Sequence, residues 1–185
     1  MDFEALAQKI ESATRAAFKE MFQQHGAEDI YAFALYSDEG AMTVCPSTNT
    51  VAFLNGLTAE EKEELPYYKF EPAEWAYEMQ GADAAFNEIS HTLSTELAKN
   101  DFQNEYEEEA VFEAFRQGLF DCCIAVLEKL KAEGFFNRLA GKEIFLLFTA
   151  SEYEFPKSEL TDIVKRLNND TYAQEYFAWM KTWSA

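Results

Sequence analysis

Apolar residues recur every three or four positions through residues 2–24. Phe3, Leu6, Ile10, Ala13, Ala17 and Met21 share one face, which predicts an amphipathic helix. Asp2 and Glu4 at its start and Lys19 near its end suit the helix dipole. Gly26 is a residue on which such a helix can end. From Ile30 the pattern changes. Ile30-Tyr31-Ala32-Phe33-Ala34-Leu35-Tyr36 is apolar on both faces, as in a strand covered on both sides or one whose small alanines lie under a helix. Ser37-Asp38-Glu39-Gly40 has turn chemistry, since Asp bonds nearby backbone and Gly tolerates positive φ. Ala41 to Cys45 then reads as the returning strand of a hairpin over about 30–45, with Pro46 as its stop.

Residues 47–57 read as a short helix or loop. Thr58 and Glu61 have capping-box spacing, in which each side chain satisfies a backbone N–H of the other. The short helix they open ends at Pro66. Tyr67 to Phe70 has the composition of a short strand, and Pro72 argues for an edge position. Residues 73–79 fit neither period. Phe86, Ile89, Leu93 and Leu97 predict a helix over 83–99. The clearest helical seam runs through 102–133, carried by Phe112, Phe115, Leu119, Cys122, Val126 and Leu130. Its first turns hold Glu105, Glu107, Glu108 and Glu109, and Lys129 and Lys131 lie near its end. Ile144 to Thr149 reads as a buried strand, and 157–167 and 171–182 as helices, the last with Tyr172, Tyr176, Trp179 and Met180 on one side. There is no repeat and no linker. This order predicts a single α+β domain over 1–185. Its small, mostly antiparallel sheet (hairpin about 30–45 plus strand about 144–149) packs against the long helix at about 102–133 and further helices.

Composition adds a core and a charge. With 48% hydrophobic and 16% aromatic residues, the chain is too apolar for disorder. Its 34 acidic against 15 basic residues give a net charge of -19. Such a surface repels nucleic acid and anionic membranes and attracts basic proteins, or else serves only to keep the chain in solution. Cys45, Cys122 and Cys123 form no disulfide framework, and buried thiols in a reducing compartment account for them. The start of the chain has no signal-peptide pattern, and no apolar run is long enough to span a bilayer. The expected location is the cytoplasm.

The sequence holds neither a phosphate-binding glycine loop nor the Gly-x-Ser-x-Gly turn of a serine nucleophile. Glu88-x-x-His91 has the spacing of a di-iron ligand pair but lacks the second such pair. No metal, cofactor or catalytic residue is assigned. Two uses remain open for the segment after Pro66. Glu71, Glu74 and Glu78 beside Trp75 and Tyr77 offer carboxylates next to aromatic platforms, as a glycoside hydrolase needs. The aromatic cluster Tyr67, Tyr68, Phe70, Trp75 and Tyr77 suits a protein interface, or else only plugs the open face of the sheet. The candidate interaction residues are Tyr67, Tyr68, Glu74, Trp75, Tyr77 and Glu78, with Glu105, Glu107 and Glu108; the acidic runs Glu60–Glu64 and Glu105–Glu109 add to the charge that motivates a basic partner.

The stretch Ala32 to Gly40 followed by Met42-Thr43-Val44-Cys45-Pro46 resembles the hairpin of a bacterial family, "domain of unknown function 4303". Pro72-Ala73-Glu74-Trp75-Ala76-Tyr77-Glu78 is similar to its aromatic–acidic segment. Phe115 to Phe136 and Phe145 to Phe148 are similar to its long helix and late strand. The resemblance implies a single-domain cytoplasmic bacterial protein and brings no activity or site residues. With the charge, it leads to a non-catalytic acidic protein-binding module, for example an immunity protein that neutralises a basic toxin. The alternatives are a structural or adaptor homo-oligomer and a carboxylate-dependent hydrolase.

Overall fold

Two strands that read as apolar on both faces lie side by side at one side of the sheet. In the computed structural model, β1 (Ile30–Asp38) pairs in parallel with β4 (Phe145–Ser151), from Ala32 opposite Phe145 to Asp38 opposite Ser151. β2 (Cys45–Thr50) pairs antiparallel with β1, and the two-residue β3 (Tyr77–Glu78) pairs antiparallel with β2. The order is β3-β2-β1-β4, a mixed sheet within an α+β fold. The structure describes residues 1–99 and 105–183, and for residues 105–108 the backbone alone.

Helices cover both faces, which is why β1 and β4 carry so few polar residues. The helices are α1 (Phe3–His25), α2 (Val51–Gly56), α3 (Leu65–Phe70), α4 (Asp83–Leu97), α5 (Glu105–Ala132), α6 (Phe135–Ala140), α7 (Lys157–Leu167) and α8 (Asp170–Met180). On one face Phe33, Leu35, Leu146 and Phe148 meet α1, α4, α5 and α6 in the larger core. Phe18 of α1 stands edge-on to Phe33 at 5.4 Å and to Phe136 at 4.9 Å, and Phe120 of α5 lies 5.1 Å from Phe148. Each such ring contributes roughly 1.5–3 kcal/mol by burial, and edge-to-face pairing adds about 0.5–1.5 kcal/mol. On the other face Tyr31, Ala32, Ala34, Phe145 and Leu147 meet α3, α7 and α8. An irregularity between Ile30 and Ala32 accompanies the packing of Tyr31 on the same side as Ala32 and Ala34. The two alanines leave room there for Phe70, Trp75 and Tyr176.

The sequence reading needs three corrections around β2. The returning strand is Cys45–Thr50, so Pro46 stands inside it opposite Leu35, and 47–50 is neither helix nor loop. The turn is longer because the Asp38 carboxylate accepts from the amides of Met42 and Thr43, and Ala41 sits at positive φ. Those local bonds hold residues 41–44 away from the ladder. Tyr67 to Phe70 lies in α3 rather than a strand, and Pro66 belongs to the first turn of that helix instead of ending one. The capping box forms as read, with the Thr58 amide donating to Glu61 at 2.7 Å and the Glu61 amide to Thr58 Oγ1 at 3.2 Å. It opens a 3-10 turn over Glu61–Glu64. Among the described residues, no helix is long and apolar enough to cross a membrane.

Candidate functional site

The segment from Glu61 to Glu78 crosses the face of the sheet opposite α1, and one buried side chain fastens it there. Asn49 of β2 is fully buried. Its Nδ2 donates to the Tyr68 carbonyl at 3.0 Å and to Tyr31 Oη at 2.9 Å, and Tyr31 Oη donates in turn to the Lys69 carbonyl at 2.9 Å. Its Oδ1 accepts from the amides of Thr50 and Ala76. The α3 backbone is thus bonded to the sheet at two successive carbonyls, which fixes where Tyr67 and Glu71 stand. Ser47 adds a bond from its hydroxyl to the Pro72 carbonyl at 2.8 Å.

Against this segment lies the aromatic side of α8. Phe70 stands edge-on to Tyr176 at 5.3 Å and stacks on Trp179 at 5.9 Å, while Trp179 and Trp183 meet edge-on at 4.8 Å. Between α3 and the end of α8 the surface falls into a groove of about 650 Å³, walled by Pro66, Tyr67, Trp179 and Trp183 with Glu71 in its lining. A second hollow of about 560 Å³ shares Tyr67, Glu71 and Trp183 and extends to Ser151 and Tyr153 beyond the end of β4. A third, of about 630 Å³, shares Glu63 and Glu64 with the first and is bordered by Glu60, Glu61 and Tyr68. The three form one continuous hollow face, aromatic at its centre and acidic at its rim.

Burial, then the neighbouring Glu74, raise the pKa of Glu71 above the usual carboxylate value, partly offset by the Ala73 amide. Among the described residues no lysine or arginine pairs with Glu60, Glu61, Glu63, Glu64, Glu71 or Glu74. Every ion pair found involves other acids. Lys62, the base inside the acidic run, points its ammonium to the Asn55 carbonyl.

The structure divides the residues singled out from sequence. Tyr67, Tyr68 and Glu74 lie together near the groove, with Tyr67 Oη donating to Glu74 at 2.9 Å and the two tyrosine rings edge-on at 5.6 Å. Partial burial and that bond push the Tyr67 pKa up to about 12. Trp75 is elsewhere: it is 4% exposed, packs on Phe145, and its indole N–H has no partner. Tyr77 stacks on His25 at 3.8 Å and donates to Glu28 at 2.6 Å, beside the end of α1. Glu78 accepts from Tyr36 Oη at 2.7 Å. Glu74 and Glu78 therefore serve different tyrosines and do not converge on one point. Glu105, Glu107 and Glu108 belong to the first turn of α5, and their side chains lie outside the described residues.

Sequence reasoning did not join α8 to this segment, so it missed Trp179 and Trp183 as groove walls. The signal was present: Tyr172, Tyr176, Trp179 and Trp183 step by three or four, and Trp183 continues that spacing just past the end of α8. Among the described residues no group of three metal-ligating side chains comes together.

The family profile of "Domain of unknown function (DUF4303)" matches residues 10–169. The chain belongs to the DUF4303 family. No curated protein matches the chain, and no solved structure does. The DUF4303 match takes in the sheet, the Asn49 clamp, α3 and Glu71, and ends at Asn169, before Trp179 and Trp183. The tryptophan wall of the groove thus lies outside the part of the chain that defines its membership of DUF4303.

Proposed function

We propose that this DUF4303 protein is a non-catalytic module that binds a basic protein along the acidic, aromatic face between α3 and α8. One observation carries the reading. Carboxylates without basic partners among the described residues crowd the rim of a hollow surface lined by aromatic rings. The acids on α1 and α4, by contrast, are largely engaged, as in Glu11 with Arg15 and Lys129 or Glu88 with Lys9. Aromatic rings at the centre of a patch, ringed by polar groups, are the usual anatomy of a binding hot spot. Unpaired rim charges steer an oppositely charged partner and set the salt dependence of its association. Neutralisation of a basic toxin is one role such a module would fill.

The test is a comparative capture from lysate at low ionic strength. Three immobilised forms are used: the wild-type chain, Glu63→Gln/Glu64→Gln, and a control with the same charge change at Glu4 and Glu109. Proteins held by the wild type and the control, lost by the groove variant and released by salt support the reading. Equal retention by all three, or retention of nothing basic, refutes it.

A further inference from the structure

We infer that the groove between α3 and the end of α8 takes the guanidinium of an arginine side chain, stacked on the indoles of Trp179 and Trp183 and paired with the carboxylate of Glu71. The inference deepens the reading above by naming the chemistry of the partner's anchor. It stands on the composition of this one hollow.

Its walls are mainly apolar: Pro66, Tyr67 and two tryptophans at right angles to each other, 4.8 Å apart. An indole face attracts a cation through its quadrupole, and tryptophan is the best of the aromatic rings at this. Two indoles set edge-on offer a flat ligand one face to stack on and one edge to pack against. Glu71 lines this groove and the adjoining hollow, and no basic residue among those described pairs with it. Lys69, two residues before it, turns instead to Glu175. Lys157, at the adjoining hollow, donates to the Trp183 carbonyl at 3.4 Å. Glu71 is therefore an uncompensated carboxylate beside the aromatic walls, with Glu63 and Glu64 also in the lining of the groove. Burial already disfavours its charged form, a condition that a bound cation reverses.

Among protein cations the site discriminates. A lysine ammonium is compact and strongly hydrated, and it has no flat face to lay against the indoles. A guanidinium is planar, weakly hydrated, stacks on aromatic faces and gives a carboxylate two parallel N–H bonds. The volume, about 650 Å³, accommodates a whole arginine side chain.

The experiment uses N-acetyl-arginine methylamide and its lysine counterpart as probes, titrated into the full chain and followed through the tryptophan indole N–H resonances. Trp75, 4% exposed and packed on Phe145, is the internal reference. The expected result is a saturable shift of the Trp179 and Trp183 signals, with Trp75 unmoved. Binding of the arginine probe should be at least threefold tighter than that of the lysine probe. Glu71→Gln should weaken it about tenfold, and Trp183→Ala should do so independently. No shift at either groove indole, equal binding of the two probes, or undiminished binding by Glu71→Gln overturns the inference. These outcomes are separate from the lysate capture. A basic partner lost on Glu63→Gln/Glu64→Gln, with no arginine binding, leaves the proposed function standing and removes only the arginine anchor.

Discussion

Replacing Asn49 by alanine should loosen the groove from beneath. The side chain is fully buried and makes four hydrogen bonds, two donated to Tyr31 Oη and the Tyr68 carbonyl and two accepted from the amides of Thr50 and Ala76. The Ala76 contact is long at 3.5 Å and counts for little. Three good bonds at a net 0.5–1.5 kcal/mol each, with the Tyr68 carbonyl left unpaired, give a loss of about 3 kcal/mol. For a domain of this size that lowers Tm by roughly 6–12 °C. Asn49→Asp keeps the acceptor but turns a carboxylate toward the Tyr68 carbonyl. Burial would raise its folded-state pKa, so its deficit is greatest at neutral pH and shrinks as pH falls through that raised value. Urea unfolding of both variants measures the losses. A cycle with Tyr31→Phe should show a coupling of about 1 kcal/mol, because the two side chains share one network. Asn49→Ala within 1 kcal/mol of wild type, or no coupling to Tyr31, would mean that the clamp does not hold α3 to the sheet.

Four further outcomes follow from the same structure. Asn168→Ala should cost roughly 2–3 kcal/mol in urea unfolding, because its carboxamide accepts from the Leu146 amide at 2.8 Å and donates to the Leu146 carbonyl at 2.7 Å on the edge strand β4. Light scattering should also show more self-association, from the exposed edge. Gly81→Ala should cost about 2 kcal/mol, since Gly81 has φ of 102° and a Cβ there would lie 3.1 Å from the Ala17 backbone. Urea unfolding measures that loss as well. Alkylation of the native protein at pH 8, followed by mass spectrometry, should label Cys122 first: burial pushes the Cys45 thiol up to about 11 and Cys123 well above its usual value. Finally, Glu71→Gln should melt higher than wild type at pH 7. A carboxyl whose folded pKa is raised contributes stability in acid and loses it as pH rises, so the difference should fade as pH falls through the raised value.

Helices were legible wherever one face repeats at helical spacing without interruption. The seam through Phe112, Leu119 and Leu130, and the stripe from Leu6 to Met21, are of this kind. β1 and β4 were legible as strands because both faces are apolar. β2 was not. Cys45-Pro46-Ser47-Thr48-Asn49-Thr50 is largely polar and yet buried throughout, with Ser47, Asn49 and Thr50 bonded to the Pro72 carbonyl, α3 and the start of α2. Composition read as loop because the partners of those polar groups are set by tertiary structure. Tyr67 to Phe70 failed for the opposite reason: aromatic composition favours a strand, but Pro66 at a helix start and docking against α8 decide for a helix. The site was half legible. Tyr67, Tyr68 and Glu74 do gather, whereas Trp75, Tyr77 and Glu78 alternate to other surroundings because the chain between them runs extended into β3.

The distribution of charge bears on why the groove is acidic at all. The exposed ion pairs that tie α1 to α4 and α5, such as Lys9 with Glu88 and Lys129 with Glu11, are each worth only about 0–1 kcal/mol. The fold does not depend on them, and a chain needing acids only for solubility could intersperse them with bases over its whole surface. Instead Glu60, Glu61, Glu63 and Glu64 stand within a single short turn, and Glu71 is drawn in among aromatic rings beside Glu74. Burial and the neighbouring Glu74 disfavour the charged form of the half-buried Glu71, which therefore opposes folding at neutral pH. The proposed binding face would draw on these charges, and the salt dependence of association there distinguishes that use from solvation alone.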